Sequence, residues 1–344
     1  MRRLISGFLL LLCVIIPASA FSGCASLVTK GNNKPGETVT LTDQAGRTVG
    51  IKQPVKKIVS GYYISSSACI ALGLAGKLAG IEDKAASRPI YALAAPDLLK
   101  LPHMGTAKNF NLEACAALNP DLVILPKQLE NSAGVLSQMG IPAIVVNPES
   151  YESMLDMVTL IGSATGAQEQ ARRYVSYCAS ARDAVDKLTA NLTDKPVVYM
   201  CGVGSYLTTA PNGMYQAALI DIAGGVNAAK NMNGNSWTQV SYEQLLAMNP
   251  EVMVIPSEAG YAKADILSDP QLADLAAVKS GRVYKMPGSF EAWDSPVPSC
   301  ILGIQWLLSV LHSDVCPPDT VQKDAAAFYK EFYSVQIDTS LITR

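Results

Sequence analysis

Short apolar runs alternate with amphipathic segments along most of the chain. Residues 39–51 alternate apolar and polar positions around an Asp-Gln-Ala-Gly turn, which predicts a β-hairpin. Runs of aliphatic and β-branched residues predict short strands at 56–61, 79–81, 122–125, 143–147, 197–201, 252–255 and 283–286. Apolar residues at helical spacing predict helices that include 131–139, 150–161, 214–225, 299–312 and 319–333. This alternation predicts mostly parallel sheets that are covered by helices on both faces.

One segment near the middle of the chain interrupts the alternation. Residues 166–192 contain no Pro and no interior Gly, and their apolar positions fit one helix of about seven turns. Strands and helices alternate again after it. We therefore predict an α/β fold with two lobes, 38–164 and 194–344, joined by a single long helix at 165–193.

Two similar stretches occupy the same place in the two predicted lobes. NLEACAALNPDLVILP (111–126) aligns with SYEQLLAMNPEVMVIP (241–256) at an offset of 130 residues. In each copy an Asn or Ser can cap a short helix with Glu in its first turn, Asn-Pro ends the helix, and an apolar run forms a buried strand. The pattern indicates a repeated lobe, although a helix–turn–strand unit used twice would explain it equally well.

The N-terminus has the pattern of a signal peptide, residues 1–23. Arg2 and Arg3 precede an apolar run of 13 residues, which is too short to span a bilayer as a mature helix. Cleavage can follow Ala20, but FSGC, which ends at Cys24, is similar to a bacterial lipobox and is favoured. The polar stretch that follows predicts a tether at 24–37. We expect an exported protein that is lipid-anchored at Cys24 to the outer face of the cell membrane, or periplasmic if the lipobox is not used.

Composition excludes several classes of function. The net charge of −2 argues against a nucleic-acid partner. The chain contains two His, and neither lies in a metal or triad motif, so no catalytic residue, metal ligand or cofactor is assigned. An enzyme and a carrier of bare metal ions remain the rival classes. Apart from Cys13 and Cys24, the six other Cys are expected to be small buried apolar residues, with one disulfide left open.

The order of these features resembles the substrate-binding proteins of bacterial ABC importers for iron complexes and cobalamin. The resemblance covers the predicted mature chain, from LTDQAGRTVGI and KKIVSG through the two similar stretches and WTQVSYEQ (237–244) to DSPVPSCILGIQWLLSVLH (294–312). It implies a ligand held between the lobes, limited hinge motion, and a monomer that docks on an importer permease with its ATPase. At the positions that match the family pattern, Glu113 and Glu243 would pair with permease arginines.

The resemblance also implies ligand contacts on loops at the carboxyl ends of the strands. The candidates are Tyr62, Tyr63, Ser65, Lys108, Asn109, Phe110, Ser205, Tyr206, Trp237, Tyr261, Phe290, Glu291 and Trp293. Their many aromatic rings suit a large chelate. A ferric siderophore is the first expectation. A cobamide, favoured by Trp237, and haem, for which His103 could be an axial ligand, are the alternatives, although a surface or structural His103 is expected.

Overall fold

A computed structural model describes residues 36–344, and the predicted signal peptide and Cys24 lie outside this range. The strands are β1 (Thr38–Thr42), β2 (Thr48–Lys52), β3 (Ile58–Ser60), β4 (Leu78–Gly80), β5 (Gly105–Thr106), β6 (Asn109–Phe110), β7 (Leu122–Pro126), β8 (Ala143–Val146), β9 (Val197–Met200), β10 (Thr208–Thr209), β11 (Val226–Asn227), β12 (Thr238–Gln239), β13 (Val252–Ile255) and β14 (Val283–Lys285). The helices are α1 (Tyr63–Ala71), α2 (Pro89–Ala94), α3 (Leu112–Ala117), α4 (Glu130–Gln138), α5 (Tyr151–Thr165), α6 (Gln168–Thr189), α7 (Tyr215–Ile222), α8 (Tyr242–Met248), α9 (Lys263–Leu267), α10 (Ala276–Lys279), α11 (Cys300–Leu311) and α12 (Pro318–Tyr333).

Two four-stranded sheets form the centres of the two lobes. The N-terminal sheet has the order β4-β3-β7-β8, and the C-terminal sheet has the order β11-β9-β13-β14. All neighbours within both sheets are parallel. In each sheet the second strand along the chain lies at the edge beside the first, and the third and fourth follow on the other side. The predicted two-lobe α/β class is confirmed, and the two lobes share one topology.

The long helix predicted at 166–192 is present as α6, with 22 residues. It begins later than predicted because Gly166 adopts a left-handed conformation, φ +83°, and ends α5. One face of α6 is buried through Ala171, Tyr174, Cys178 and Val185. The ring of Tyr174 packs edge-on against Phe332 of α12, with centroids 5.3 Å apart. The connecting helix therefore packs against the neighbouring helices through one face.

A single cluster of buried apolar side chains runs through both lobes. It includes Ile58 and Ile144 of the N-terminal sheet, Tyr174 of α6, and Val254 and Trp306 of the C-terminal lobe. Two smaller clusters lie on the far sides of the two sheets. Pulling the lobes far apart would expose part of the shared cluster, which is unfavourable by about 25 cal/mol per Å² of apolar surface. This arrangement restricts how widely the lobes can separate.

The two similar stretches fold into the same local structure. Asn119 and Asn249 end α3 and α8 in the left-handed region, with φ +48° and +39°, and the Pro that follows each of them prevents the helix from continuing. β7 and β13 are each buried along their full length. The copies differ at the N-cap. Ser241 forms a reciprocal capping box with Gln244, whereas the side chain of Asn111 accepts one bond from the Ala114 N–H.

The hairpin at β1 and β2 is confirmed, but several very short elements were not predicted. These are β5, β6, β10, β11, β12, α2, α9 and α10, each of which has two to six residues. Such lengths carry too little periodicity to be detected. Of the predicted tether, Gly36 and Glu37 are described, and their backbone groups bond to Gln53.

Six Cys residues lie in the described part of the chain. Each is buried and has a free thiol, as predicted for small apolar residues: Cys69, Cys115, Cys178, Cys201, Cys300 and Cys316. Burial raises the pKa of Cys69 to about 12, so this thiol stays protonated and unreactive near neutral pH. Within residues 36–344, every helix is too short or too polar to cross a bilayer.

Candidate functional site

A cavity of about 110 Å³ lies between the two lobes. Its N-terminal wall comes from α1 and from the segment that leads into α2, and its C-terminal wall comes from the loops after β13 and β14. The lining residues are Tyr63, Ser67, Ser87, Arg88, Pro89, Ile90, Tyr91, Ser257, Glu258, Gly288, Phe290, Glu291, Ala292 and Val297. The position agrees with the rule that open α/β sheets bind ligands beyond the carboxyl ends of their strands.

Hydrogen bonds between buried side chains hold the N-terminal wall rigid. Tyr91 Oη donates to Glu82 Oε1 at 2.7 Å, and Ser66 Oγ donates to the other oxygen of Glu82 at 2.5 Å. Ser66 Oγ also lies 2.8 Å from Ser60 Oγ at the end of β3. Desolvation raises the pKa of Glu82, and the bonds from Ser66 and Tyr91 oppose this shift. This network fixes the ring of Tyr91 against the cavity.

A second set of buried acids supports the C-terminal wall. Ser257, directly after β13, donates through Oγ to Asp294 Oδ1 at 2.5 Å. Glu291 accepts a hydrogen bond from Tyr333 Oη at 2.9 Å. Desolvation raises the pKa of both carboxyls. Burial therefore favours the neutral forms of both acids, whereas the hydrogen bonds that they accept oppose this shift.

Polar contacts cross directly from one lobe to the other, and they include a contact of 3.3 Å between Ser67 Oγ and Tyr333 Oη. The guanidinium of Arg88 is paired through Nη1 with Glu258. The Ile90 N–H donates to the Phe290 carbonyl at 3.0 Å. Ser67 Oγ donates to Glu291 Oε1. These contacts surround the cavity and close it in this structure.

The guanidinium of Arg88 is positioned by stacking as well as by charge. It lies over the ring of Tyr63, with Cζ 4.0 Å from the ring centroid. Its side chain is 21% exposed, compared with 53% for that of Glu258. Within residues 36–344, Arg88 Nε is one of the few buried polar atoms that have no hydrogen-bond partner. The cavity wall therefore contains the positioned guanidinium of Arg88, and its Nε–H donor is unpaired within these residues.

The structure brings three of the predicted ligand contacts to this cavity: Tyr63, Phe290 and Glu291. Tyr62 lies beside Tyr63, with ring centroids 5.4 Å apart, but is not part of the lining. Ser65 is fully buried and bonds to Ser60 and to the Tyr62 carbonyl, so it cannot reach the cavity. These placements follow from α1, which begins directly at Tyr63 without the loop that the sequence suggested.

The two tryptophans proposed as contacts lie outside the cavity lining. Trp293 is fully buried, and its Nε1 donates to Tyr329 Oη at 3.0 Å, so it belongs to the core. Trp237 is half-buried and packs against the large apolar cluster. The loop character of the segment around Trp293 suggested exposure. The aromatic face of α12 covers it.

The remaining predicted contacts lie at two other places. Asn109 and Phe110 line an open groove of about 480 Å³ on the N-terminal lobe, together with His103 and Glu113, and Lys108 is exposed in the same hairpin. Ser205, Tyr206 and Tyr261 lie on the C-terminal lobe. Tyr206 Oη donates to Asp269 Oδ2 at 2.8 Å, and Tyr261 Oη donates to the Gly202 carbonyl at 2.6 Å. These side chains are committed to partners within their own lobe.

Six polar lining residues were missed from the sequence: Ser67, Ser87, Arg88, Tyr91, Ser257 and Glu258. A signal existed for the last two, because they lie just beyond β13 and Pro256, where the carboxyl-end rule places ligand contacts. No comparable pattern marks Arg88, which lies between α2 and a short helical turn far from any strand end.

The described residues contain no group of three or more His, Cys, Asp or Glu that could hold a metal ion. His103 is exposed, with Nδ1 3.9 Å from Asp83 Oδ1, and lies outside the cavity. Glu113 and Glu243 are exposed in the first turns of α3 and α8. A hydrogen bond with Ser241 lowers the pKa of Glu243, which keeps this carboxylate charged.

Comparisons with known proteins identify the family. A profile described as "Periplasmic binding protein" matches residues 58–289, about two-thirds of the chain. Molybdate-binding protein MolA of Haemophilus influenzae is 25% identical over 320 residues, which is 85% of this chain and 90% of that protein. Fe(3+)-citrate-binding protein YfmC of Bacillus subtilis is 25% identical over 293 residues, 81% of this chain and 87% of that protein.

Solved structures show the same fold. A periplasmic solute-binding protein of Veillonella parvula superposes with a TM-score of 0.79 and 27% identity, over 89% of this chain and 96% of that one. Molybdate-bound MolA, which is described as the cognate binding protein of an ABC transporter, superposes with a TM-score of 0.78 and 21% identity, over 87% of this chain and 99% of that one.

Proposed function

We propose a carrier function for this chain, which belongs to the periplasmic binding protein family. The protein captures a compact iron complex, a ferric siderophore of low charge, between its lobes and delivers it to the permease of an ABC importer. The observation that carries this proposal is the cavity at the carboxyl ends of the strands, lined by Tyr63, Tyr91, Phe290 and the cation of Arg88. No catalytic step is proposed.

The size of the cavity limits the ligand. The cavity has a volume of about 110 Å³. Pockets for larger organic ligands hold about 300–1,000 Å³. A chelate therefore requires the lobes to part, and the apolar cluster shared by the lobes restricts that movement. These facts favour a compact complex over cobalamin or haem.

The same cavity supports a second candidate, a bare oxyanion such as molybdate. The volume suits a small tetrahedral anion, and the lining supplies the guanidinium of Arg88 as the donor. The hydroxyls of Ser67, Ser87 and Ser257 already donate to Glu291, to the Lys84 carbonyl and to Asp294. The relative MolA binds molybdate, and the relative YfmC binds ferric citrate. Both ligands are oxygen-rich anions, and a single arginine can hold one anionic group through several N–H donors.

Titration of the purified protein, followed by calorimetry and tryptophan fluorescence, tests the proposal. The panel is ferric citrate, a ferric hydroxamate siderophore, cobalamin, haemin and sodium molybdate. We expect saturable binding of one iron complex, with molybdate as the competing outcome. Quenching is expected because Trp293 bonds to Tyr329, whose ring lies 5.3 Å from that of Phe290. Saturable binding of cobalamin or haemin alone, or no binding of any ligand, would contradict the proposal.

A matched pair of variants locates the site. Phe290→Leu removes an aromatic ring from the cavity, whereas Phe110→Leu removes one from the separate groove of the N-terminal lobe. We expect the first to weaken binding and the second to leave it unchanged. Equal losses would show that the ligand also occupies the groove.

The location follows from the family and from the N-terminal pattern. We propose that the chain is exported and lipid-anchored at Cys24, as the lipobox-like FSGC sequence predicts. Mass spectrometry of the N-terminal peptide from membranes tests this. A diacylglyceryl-modified Cys24 is expected, and a mature chain that starts at Phe21 would contradict the anchor.

We also propose that Glu113 and Glu243 contact the permease. Their support is positional, since both are exposed carboxylates in the first turns of equivalent helices, one in each lobe. Contacts of this kind orient two proteins more than they hold them together, which suits a carrier that must leave after delivery.

A further inference from the structure

The pair formed by Arg88 and Glu258 is incomplete as an ion pair. A guanidinium presents five N–H donors and can grip a carboxylate through two of them. Here Arg88 Nη1 donates to one oxygen of Glu258. Arg88 Nε is buried and has no hydrogen-bond partner in the part of the chain that the structure describes. A buried N–H without an acceptor is unfavourable. The arrangement therefore has capacity for an acceptor that Glu258 does not supply.

Other acids near the cavity do not compete for Arg88. Both oxygens of Glu291 accept hydrogen bonds, one from Ser67 and one from Tyr333. Glu82 is likewise occupied, by Ser66 and Tyr91. Glu258 differs because its side chain is 53% exposed and, among the described residues, is held by Arg88. It can swing into solvent at low cost, so it is the replaceable partner.

The pair also joins the lobes. Arg88 precedes α2 in the N-terminal lobe, and Glu258 follows β13 in the C-terminal lobe. Two residues beyond Arg88, the Ile90 N–H donates across the cleft to the Phe290 carbonyl at 3.0 Å. The protection of this amide from solvent exchange therefore reports whether the lobes are closed beside Arg88.

We propose that Arg88 is the anchor for a carboxylate or oxyanion group of the ligand, and that Glu258 is a built-in counter-ion that occupies this anchor until the ligand replaces it. The inference rests on the proposed carrier function. In the ligand-free protein, Glu258 would neutralise the charge of Arg88 and hold the two lobes together. It would also make binding selective, because a neutral ligand cannot displace a carboxylate from a guanidinium.

Glu258→Gln tests the inference, because it keeps the size of the side chain and removes its charge. The matched control is Glu331→Gln, which removes the same charge from an exposed Arg–Glu pair with Arg173 at 3.1 Å, outside the cavity lining. The probes are sodium molybdate and ferric citrate. We expect E258Q to bind the anion that the wild type binds about two- to fivefold more tightly, the range for losing one partly exposed competing pair. E331Q should match the wild type.

Hydrogen exchange of the peptide that contains Ile90 supplies a second readout, which needs no ligand. The Ile90 amide should exchange faster in E258Q than in the wild type or in E331Q. A bound anion should restore the protection of this amide in E258Q. Arg88→Gln should lose at least about tenfold in affinity for the anion, with the same faster exchange. Weaker binding by E258Q would overturn the inference by showing that Glu258 holds the ligand, and so would unchanged exchange.

The two proposals can fail separately. A wild type that binds neither sodium molybdate nor ferric citrate overturns the role of Arg88 as an anion anchor, while saturable binding of the ferric hydroxamate siderophore would leave the carrier function in place. A wild type that binds an anion, with E258Q identical to E331Q in affinity and exchange, leaves the carrier function in place and overturns the role of Glu258.

Discussion

The two lobes contain the same sheet and the same helix–turn–strand unit, yet they contribute differently to the cavity. In the C-terminal lobe, Ser257 and Glu258 lie on the loop after β13 and line the cavity. In the N-terminal lobe, the residues after the equivalent strand β7 do not. That lobe contributes instead through α1 and through Arg88, which lies beyond β4. The two lobes are thus similar in their sheets and helices and differ in the loops that line the cavity.

This difference separates two kinds of residue within the repeat. The buried strand positions and helix caps keep equivalent roles, because both lobes need the same local structure. The loop positions diverge because each wall of the cavity needs different chemistry: a cation on one side and carboxylates on the other. The following variants test where equivalence between the lobes ends.

The largest effect is expected for equivalent core positions in the central strands. Leu125 and Ile255 align in the two similar stretches and are both fully buried. Leu125→Ala and Ile255→Ala should each lower the free energy of unfolding by about 2–5 kcal/mol, measured by urea denaturation. Similar losses would support equivalence. A loss at only one position would show that one sheet contributes little to global stability.

The next comparison uses one buried acid from each lobe, Glu82 and Glu291. Desolvation raises the pKa of each above that of glutamate in the unfolded chain. Each therefore adds stability that is fully present below the unfolded pKa, about 4.3, and is lost as the pH rises through the folded value. Glu82→Gln and Glu291→Gln should each reduce the fall in unfolding free energy between acidic and neutral pH, measured by urea denaturation across that range.

Glu82 and Glu291 should differ in binding. Glu291 lines the cavity and contacts Ser67 of the other lobe, whereas Glu82 does not line it. Only Glu291→Gln should change ligand affinity. An equal change in both variants would mean that the network behind the N-terminal wall controls the cavity as directly as the wall itself.

A smaller effect is expected at the two helix caps. Asn111→Ala and Ser241→Ala should each lower the free energy of unfolding by about 1 kcal/mol. The loss should be greater at Ser241, because its capping box with Gln244 contains two hydrogen bonds, from the Gln244 N–H to Ser241 Oγ and from the Ser241 N–H to Gln244 Oε1. Ser241→Thr, which keeps a capping oxygen, is the control for thermal denaturation. A larger loss at Asn111 would contradict this order.

The smallest effects are expected for the exposed acids proposed to meet the permease. Glu113→Gln and Glu243→Gln should each weaken docking to the reconstituted importer by roughly two- to fivefold. Because the two residues lie in different lobes, the double variant should show the product of the two effects. Ligand affinity should not change. Docking that depends on one of the two acids alone would break the symmetry between the lobes.

Much of the scaffold could be predicted from the sequence because its signals are local. The apolar spacing of α6, the alternation in the hairpin and the Asn-Pro stops all act within a few turns or residues. The candidate site was predicted less well. Tyr63, Phe290 and Glu291 reach the cavity, but Trp293 is covered by Tyr329 of α12, 36 residues away along the chain. Local sequence patterns cannot predict a contact between residues that lie so far apart in the chain.

By itself the sequence determined two α/β lobes, one connecting helix and a duplicated strand unit, since hydrophobic periodicity and capping are properties of adjacent residues. Tertiary structure alone decided which side chains face the cavity. Arg88 and Glu258 are 170 positions apart, and their pairing depends on how the shared core sets one lobe against the other. Burial likewise decided which acids shape the walls and which one can move, because desolvation depends on the whole fold and not on the neighbours in sequence.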